Sequence, residues 1–152
     1  KMAKMTCNIL LKALRRLFRR RGEVGNARVI YSGWLWKEGE VNTKYKRRYV
    51  FLTDYAILYC KDQHSIDAQG SIPLDQIHEV RSGWMDNLVE YNGISTDNGF
   101  IIEAEKRTFR FVAEEEDKKY AWMQHIGEEL LRAQQMLDER QQLAMEERED
   151  ED

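Results

Sequence analysis

Residues 30–52 alternate side chains with a period of two on either side of a short polar stretch, a pattern that fits an antiparallel hairpin. Tyr31, Gly33, Leu35 and Lys37 fall on one face of the first strand, and Ile30, Ser32, Trp34 and Trp36 on the other. The aromatic and β-branched run Tyr49, Val50, Phe51, Leu52 supplies the second strand. Pairing the two sets Lys37, at the end of the first strand, across from Lys46 and Arg48 at the start of the second. Three cations then converge on one loop, an arrangement that suits a phosphate.

The remaining pattern is a succession of short strands followed by one long helix. Ala56-Ile57-Leu58-Tyr59, Gly70-Ser71-Ile72-Pro73-Leu74, residues 77–81, 100–104 and 107–112 have strand chemistry, and Glu105-Lys106 makes a tight turn between the last two. With the hairpin this gives about seven strands, a number that local pattern leaves open between sandwich and barrel. Residues 82–98 form a longer connection whose Trp84, Met85 and Leu88 are expected to cover the strands. Ala121, Trp122, Ile126, Leu130, Ala133 and Leu137 recur at helical spacing and predict a C-terminal helix packed against one end. Beyond Leu137 the apolar stripe thins, and from Glu146 the like charges predict a frayed tail.

The net charge of −3 hides a strong asymmetry between the ends. Up to residue 21 there are eight Lys and Arg and no acid, whereas from Asp138 to Asp152 eight acids face only Arg140 and Arg148. Cys7, Leu10, Leu11, Leu14, Leu17 and Phe18 follow an i, i+3, i+4, i+7 pattern, with Lys4, Lys12, Arg15, Arg16 and Arg19 opposite, so residues 1–21 read as a basic amphipathic helix. Gly22 and Gly25 mark its end and a linker over residues 22–27. Such a helix can lie at a membrane interface, with Leu14, Leu17 and Phe18 in the acyl boundary and Arg15, Arg16, Arg19, Arg20 and Arg21 among anionic headgroups. Docking of the same apolar face on the strands is an equal alternative, and a calmodulin-like partner is a third. Nucleic acid fits poorly, because leucines stand where stacking aromatics are needed. The chain begins at Lys1, which suggests a fragment or a processed form.

The spacing of Lys37 to Lys46-Arg47-Arg48-Tyr49 resembles the phosphoinositide-binding signature of pleckstrin homology (PH) domains. Leu52-Thr53-Asp54 with residues 56–59 is similar to that family's second turn and third strand, and Trp122 sits where the family carries its helical Trp. The resemblance spans residues 28–134, with 135–152 left as a helix extension and acidic tail. It implies a seven-stranded, partly open antiparallel barrel capped by the C-terminal helix. Lys37, Lys46 and Arg48 match the family's phosphate-contacting positions, Tyr59 matches a third-strand Tyr that contacts phosphate in some members, and Lys44 is a further loop contact. Arg47 alternates to the opposite face and is assigned to bulk lipid or solvent. Val41 and Thr43 stand at loop positions that tend to be basic in members selective for 3-phosphorylated inositides, and Glu38 and Glu40 add negative charge. These departures favour a simpler phosphomonoester such as phosphatidic acid over a highly phosphorylated inositide. The pairing of a basic N-terminal helix with such a domain is also similar to the acylated PH-domain family of apicomplexan parasites, which senses phosphatidic acid on micronemes and is needed for their exocytosis. That resemblance implies an acylated segment upstream of Lys1 and a place on the cytoplasmic face of a secretory organelle.

No feature of the sequence supports catalysis. His64, His78 and His125 are scattered, and there is no HExxH, paired-cysteine metal set, glycine-rich phosphate loop or nucleophile elbow. Neither cofactor nor metal is expected, and a monomer is. Cys7 and Cys60 fall in a helix-like and a strand-like segment, which fits a reducing compartment. A protein-interaction module for a peptide or small GTPase is the rival to lipid binding, since fold does not fix function.

Overall fold

The computed structural model describes residues 28–40, 44–65, 68–83 and 95–151. The predicted N-terminal helix, its linker, Val41, Thr43, Trp84, Met85 and Leu88 lie outside the described residues. Seven strands form one sheet: β1 (Val29–Glu38), β2 (Tyr45–Thr53), β3 (Ala56–Cys60), β4 (Ala68–Pro73), β5 (Ile77–Ser82), β6 (Gly99–Ala104) and β7 (Thr108–Val112). Their order is β4-β3-β2-β1-β7-β6-β5, antiparallel throughout, so β1 pairs with β7 while β4 and β5 remain the edges. A single 3₁₀ turn, Leu74–Gln76, joins those edges after Pro73, giving a partly open barrel.

The strands form where the alternation demands them. Leu35, Val50, Leu52, Ile57, Ile72, Phe100, Ile102 and Phe111 point inward and are almost fully buried. The β2–β3 turn is fixed by Thr53, whose hydroxyl donates to the Ala56 carbonyl (2.9 Å) and accepts from the Ala56 and Tyr55 amides. β2 begins at Tyr45, four residues earlier than its apolar run, because the cationic residues 46–48 pair with β1 in register.

Helix α1 (Glu116–Asp150) plugs the barrel with Trp122 and Ile126, each 1% exposed. Tyr31 meets Trp122 edge-on at 4.8 Å and stacks on His125 at 4.5 Å. At its N-terminal end the buried Lys119 ammonium donates to the Ser82 hydroxyl (2.6 Å) and the Asp97 carbonyl (2.7 Å), which satisfies a charge that burial would otherwise penalise. The fraying expected from Glu146 does not occur, and the helix continues to Asp150. Residues 131–150 contain no Gly or Pro and are rich in Ala, Leu, Met, Glu, Gln and Arg, all strong helix formers. Side-chain hydrogen bonds at i,i+4, Gln134 to Asp138 and Gln142 to Glu146, add support that outweighs the local like-charge repulsion.

Candidate functional site

The β1–β2 register decides which cations share a face. Lys37 is directly opposite Lys46, Leu35 opposite Arg48, and Gly33 opposite Val50, which in turn is opposite Tyr59 on β3. Directly opposed residues project to the same side, so Lys37, Lys46, Arg48 and Tyr59 all belong to the barrel's inner face at its open mouth. Lys44 ends the connecting turn, where its carbonyl accepts the Gly39 amide at 3.1 Å.

Lys37 is not a solvated rim charge, because only 8% of it is exposed. Its ammonium lies 4.4 Å from the Tyr59 ring centroid and 5.7 Å from that of Phe109, and it donates to the Glu38 carbonyl at 3.2 Å. Burial, followed by the nearby charges of Arg107 and Arg48, lowers its pKa to about 8. Lys46 is exposed and Arg48 half-buried, its guanidinium donating to the Arg47 carbonyl at 3.0 Å. Burial raises the Tyr59 pKa, so its hydroxyl remains a neutral donor near pH 7. That hydroxyl sits against Gly70, where even a Cβ would come within 2.0 Å of it. Gly70 therefore sets the position of Tyr59, and Tyr59 in turn backs Lys37.

A further cation at this mouth escaped the sequence reading. Arg107, just before β7, stacks its guanidinium 4.3 Å from the Phe109 ring and pairs with Glu40 at 3.1 Å. It reaches the hairpin only because β7 closes against β1 through the pair Lys37 and Phe111. Glu40 thus sets a carboxylate beside this cluster. Glu38 differs: it lies on the other side of β1, where it accepts from the Tyr45 hydroxyl (3.2 Å) and pairs with Arg110 (3.4 Å). Burial and Glu38 together push the Tyr45 pKa up. Arg47 is on that outer face as expected, stacked 4.3 Å from the Trp34 ring and paired with Glu114 at 2.9 Å. No group of His, Cys, Asp and Glu among the described residues is arranged to hold a metal ion.

A seven-stranded barrel with a helical plug and a cationic mouth invites comparison with known domains, and the PH domain model matches residues 29–130. The chain belongs to the PH domain family. PH domains are non-catalytic scaffolds, and this one is no exception in its fold. Pleckstrin homology domain-containing family A member 6 of Mus musculus is 30% identical over 104 residues, a match that covers 68% of this chain and 8% of that protein, so the chain spans a small part of that relative. Among solved structures, a PH domain in solution superposes with a TM-score of 0.60 at 23% identity, covering 70% of this chain and 89% of that one. The Slm1 PH domain in complex with inositol-4-phosphate superposes with a TM-score of 0.51 at 18% identity, covering 64% of this chain and 94% of that one. At these identities the structural likeness speaks for the fold.

Proposed function

We propose that this PH domain is a peripheral membrane module that holds an anionic phosphomonoester headgroup at its β1–β2 mouth, with phosphatidic acid favoured over phosphoinositides. The observation that carries the reading is the convergence of Lys37, Lys46 and Arg48 on one inner face, with Tyr59 behind Lys37 and Arg107 beside it. Exposed Lys46 and half-buried Arg48 are the donors that meet the headgroup first. Lys37 supplies a partly desolvated charge, where each electrostatic contact is stronger than in bulk water. Inositol-4-phosphate and phosphoserine, each found in complex with the Slm1 PH domain, are both phosphomonoesters, which supports the chemical class.

Preference for a small headgroup follows from what the mouth offers. Glu40 already engages Arg107, leaving three cations, sufficient for one phosphomonoester and few for a polyphosphorylated ring. Lys44 from the loop and Arg47 from the outer face add charge toward the bilayer, and the basic amphipathic segment of residues 1–21 inserts Leu14, Leu17 and Phe18 while its arginines meet anionic lipid. Each basic residue near such a surface contributes about 1 kcal/mol, so mouth and segment acting together reach an affinity that neither reaches alone. The layout supports the cytoplasmic face of a secretory organelle such as the microneme, and a part in its exocytosis.

Co-sedimentation with vesicles of matched surface charge tests the reading. Phosphatidic acid should retain the chain best, a phosphoinositide less, and phosphatidylserine least. Equal retention by all three would reduce the mouth to a nonspecific cation patch, and retention by none would point to a protein ligand.

A further inference from the structure

The end of the barrel away from the cationic mouth carries a groove of about 710 Å³, part apolar and part charged in its lining, between α1 and the β2–β3 and β4–β5 connections. Tyr55, Leu74, Leu130, Leu131, Met136 and Leu137 line it, and four of these, Tyr55, Leu131, Met136 and Leu137, are exposed large hydrophobic side chains. A cluster of this kind on a protein surface marks a contact that is made elsewhere in the molecule or with a partner.

We propose that the groove is the resting seat of this chain's own residues 1–21, docked in cis through the Cys7, Leu10, Leu11, Leu14, Leu17 and Phe18 face. Three observations select that occupant. The first is where the chain enters. Arg28, the first described residue, lines the groove and is pinned to its wall, its amide donating to the Asp54 carboxylate (2.8 Å) and its carbonyl accepting the Asp54 amide (3.1 Å). Everything upstream therefore departs from the groove itself, with nine residues, including Gly22 and Gly25, between Phe18 and Arg28 for the chain to turn back.

Length is the second. As a helix, the stretch from Cys7 to Phe18 spans about 16 Å, and the part of α1 that borders the groove, from Gly127 to Arg140, spans about 20 Å. The third is charge. Residues 1–21 carry eight cations and no acid, whereas α1 from Asp138 onward, along the end of the groove and past it, presents Asp138, Glu139, Glu146, Glu147, Glu149 and Asp150 against Arg140 and Arg148, with Arg28 and Arg132 the other cations of the groove lining. The apolar face fits the groove, and the segment's net positive charge then lies close to the acids of α1 that border the groove and extend past it. The same leucines cannot lie in the groove and in a bilayer at once, so docking opposes membrane insertion. That last consequence rests on the proposed lipid function, but the docking does not.

Cys7 reports the docking in the full chain without lipid. The only other thiol, Cys60, is 1% exposed, with its pKa raised by burial to about 11, so it stays silent toward a maleimide near neutral pH. Cys7 should react at least tenfold more slowly in the native chain than in a Leu131→Glu/Leu137→Glu variant, whose substitutions fall on exposed helix positions that the fold tolerates. In the native chain, amide exchange over α1 residues 127–137 should be slower than in a Leu14→Glu/Leu17→Glu variant. Native Cys7 reacting as fast as in the urea-unfolded chain, or protection that survives the groove variant, overturns the proposal. Protection that grows with protein concentration also overturns it, by placing the segment on a second copy. A chain that protects Cys7 yet ignores every vesicle keeps the docking and loses the lipid reading.

Discussion

The two ends of this barrel are built from the same strands and differ in almost every other respect. At the mouth, β1, β2, β3 and β7 converge on Lys37, Lys46, Arg48 and Arg107, with aromatic rings of Tyr59 and Phe109 beneath the cations. At the other end, α1 and the inter-strand connections leave Tyr55, Leu131, Met136 and Leu137 uncovered. One end is organised around charge that needs an anion, and the other around apolar surface that needs a cover. On the proposed reading, the first is the ligand site and the second a separate seat for residues 1–21 when no ligand is present.

Both ends depend on the plug between them, which provides the largest expected effect. Trp122→Ala should destabilise the fold by about 3–5 kcal/mol, read as a lowered denaturant midpoint, because it removes the largest fully buried side chain among the described residues. An effect below about 1 kcal/mol would mean that α1 is an attachment to the barrel instead of part of its core.

Next in size is a change at the mouth alone. Gly70→Ala forces its methyl against the Tyr59 hydroxyl, at a cost of about 1–3 kcal/mol, and should weaken headgroup binding by shifting the ring under Lys37. Unchanged stability and binding would show that Tyr59 moves aside without consequence.

The Lys37 ammonium predicts a pH dependence with a defined sign. Its pKa is about 8 in the fold against 10.5 in a free side chain, so between those values the unfolded chain binds more protons. Stability without ligand should therefore rise with pH from about 8 to 10.5. An anion favours protonated Lys37, so affinity should fall, by up to about fivefold, as pH rises through 8. For phosphatidic acid a rising limb near pH 6 to 7 comes first, from the second ionisation of its phosphate, giving a bell-shaped profile. A phosphodiester lipid should show only the falling limb, and a flat profile above pH 8 would remove Lys37 from the site.

Smaller effects separate the two ends further. Glu40→Gln releases Arg107 and should tighten binding by about fivefold or less, since the Glu40 side chain is 73% exposed and its pairing is screened by solvent. Deleting residues 138–152 should strengthen vesicle binding by a few-fold, because it removes acids that compete with lipid for the basic segment. No change on deletion would leave the acidic half of α1 without a part in the balance.

The hairpin and its cations were legible in sequence because strand period and register are local: once Lys37 and Lys46 are opposed, Arg48 must share their face and Arg47 must not. Trp122 was legible for the same reason, through helical spacing with Ile126. Arg107 was not, since it lies 59 residues beyond Arg48 and meets the hairpin only by barrel closure. Its one local signal was a guanidinium directly before the aromatic strand that ends at Val112. The burial of Lys37 was equally hidden, because the rings that enclose it come from β3 and β7. Glu38 and Glu40 looked alike in sequence, yet Glu38 is the last residue of β1 and faces outward to Arg110, whereas Glu40 lies past the strand's end, where alternation no longer holds, and pairs with Arg107 beside the mouth. The persistence of α1 past Glu146 shows a limit of charge counting, since helix propensity and i,i+4 hydrogen bonds prevail over repulsion between exposed carboxylates.

The most direct test of the account compares neighbouring positions on β2 that face opposite ways. Affinity for phosphatidic acid vesicles, measured in parallel for Lys46→Glu/Arg48→Glu and for Arg47→Glu, should fall by more than tenfold for the inner-face pair and by about fivefold or less for the outer-face residue. Equal losses would contradict a headgroup site at the mouth and leave only a general attraction between a basic surface and an anionic one.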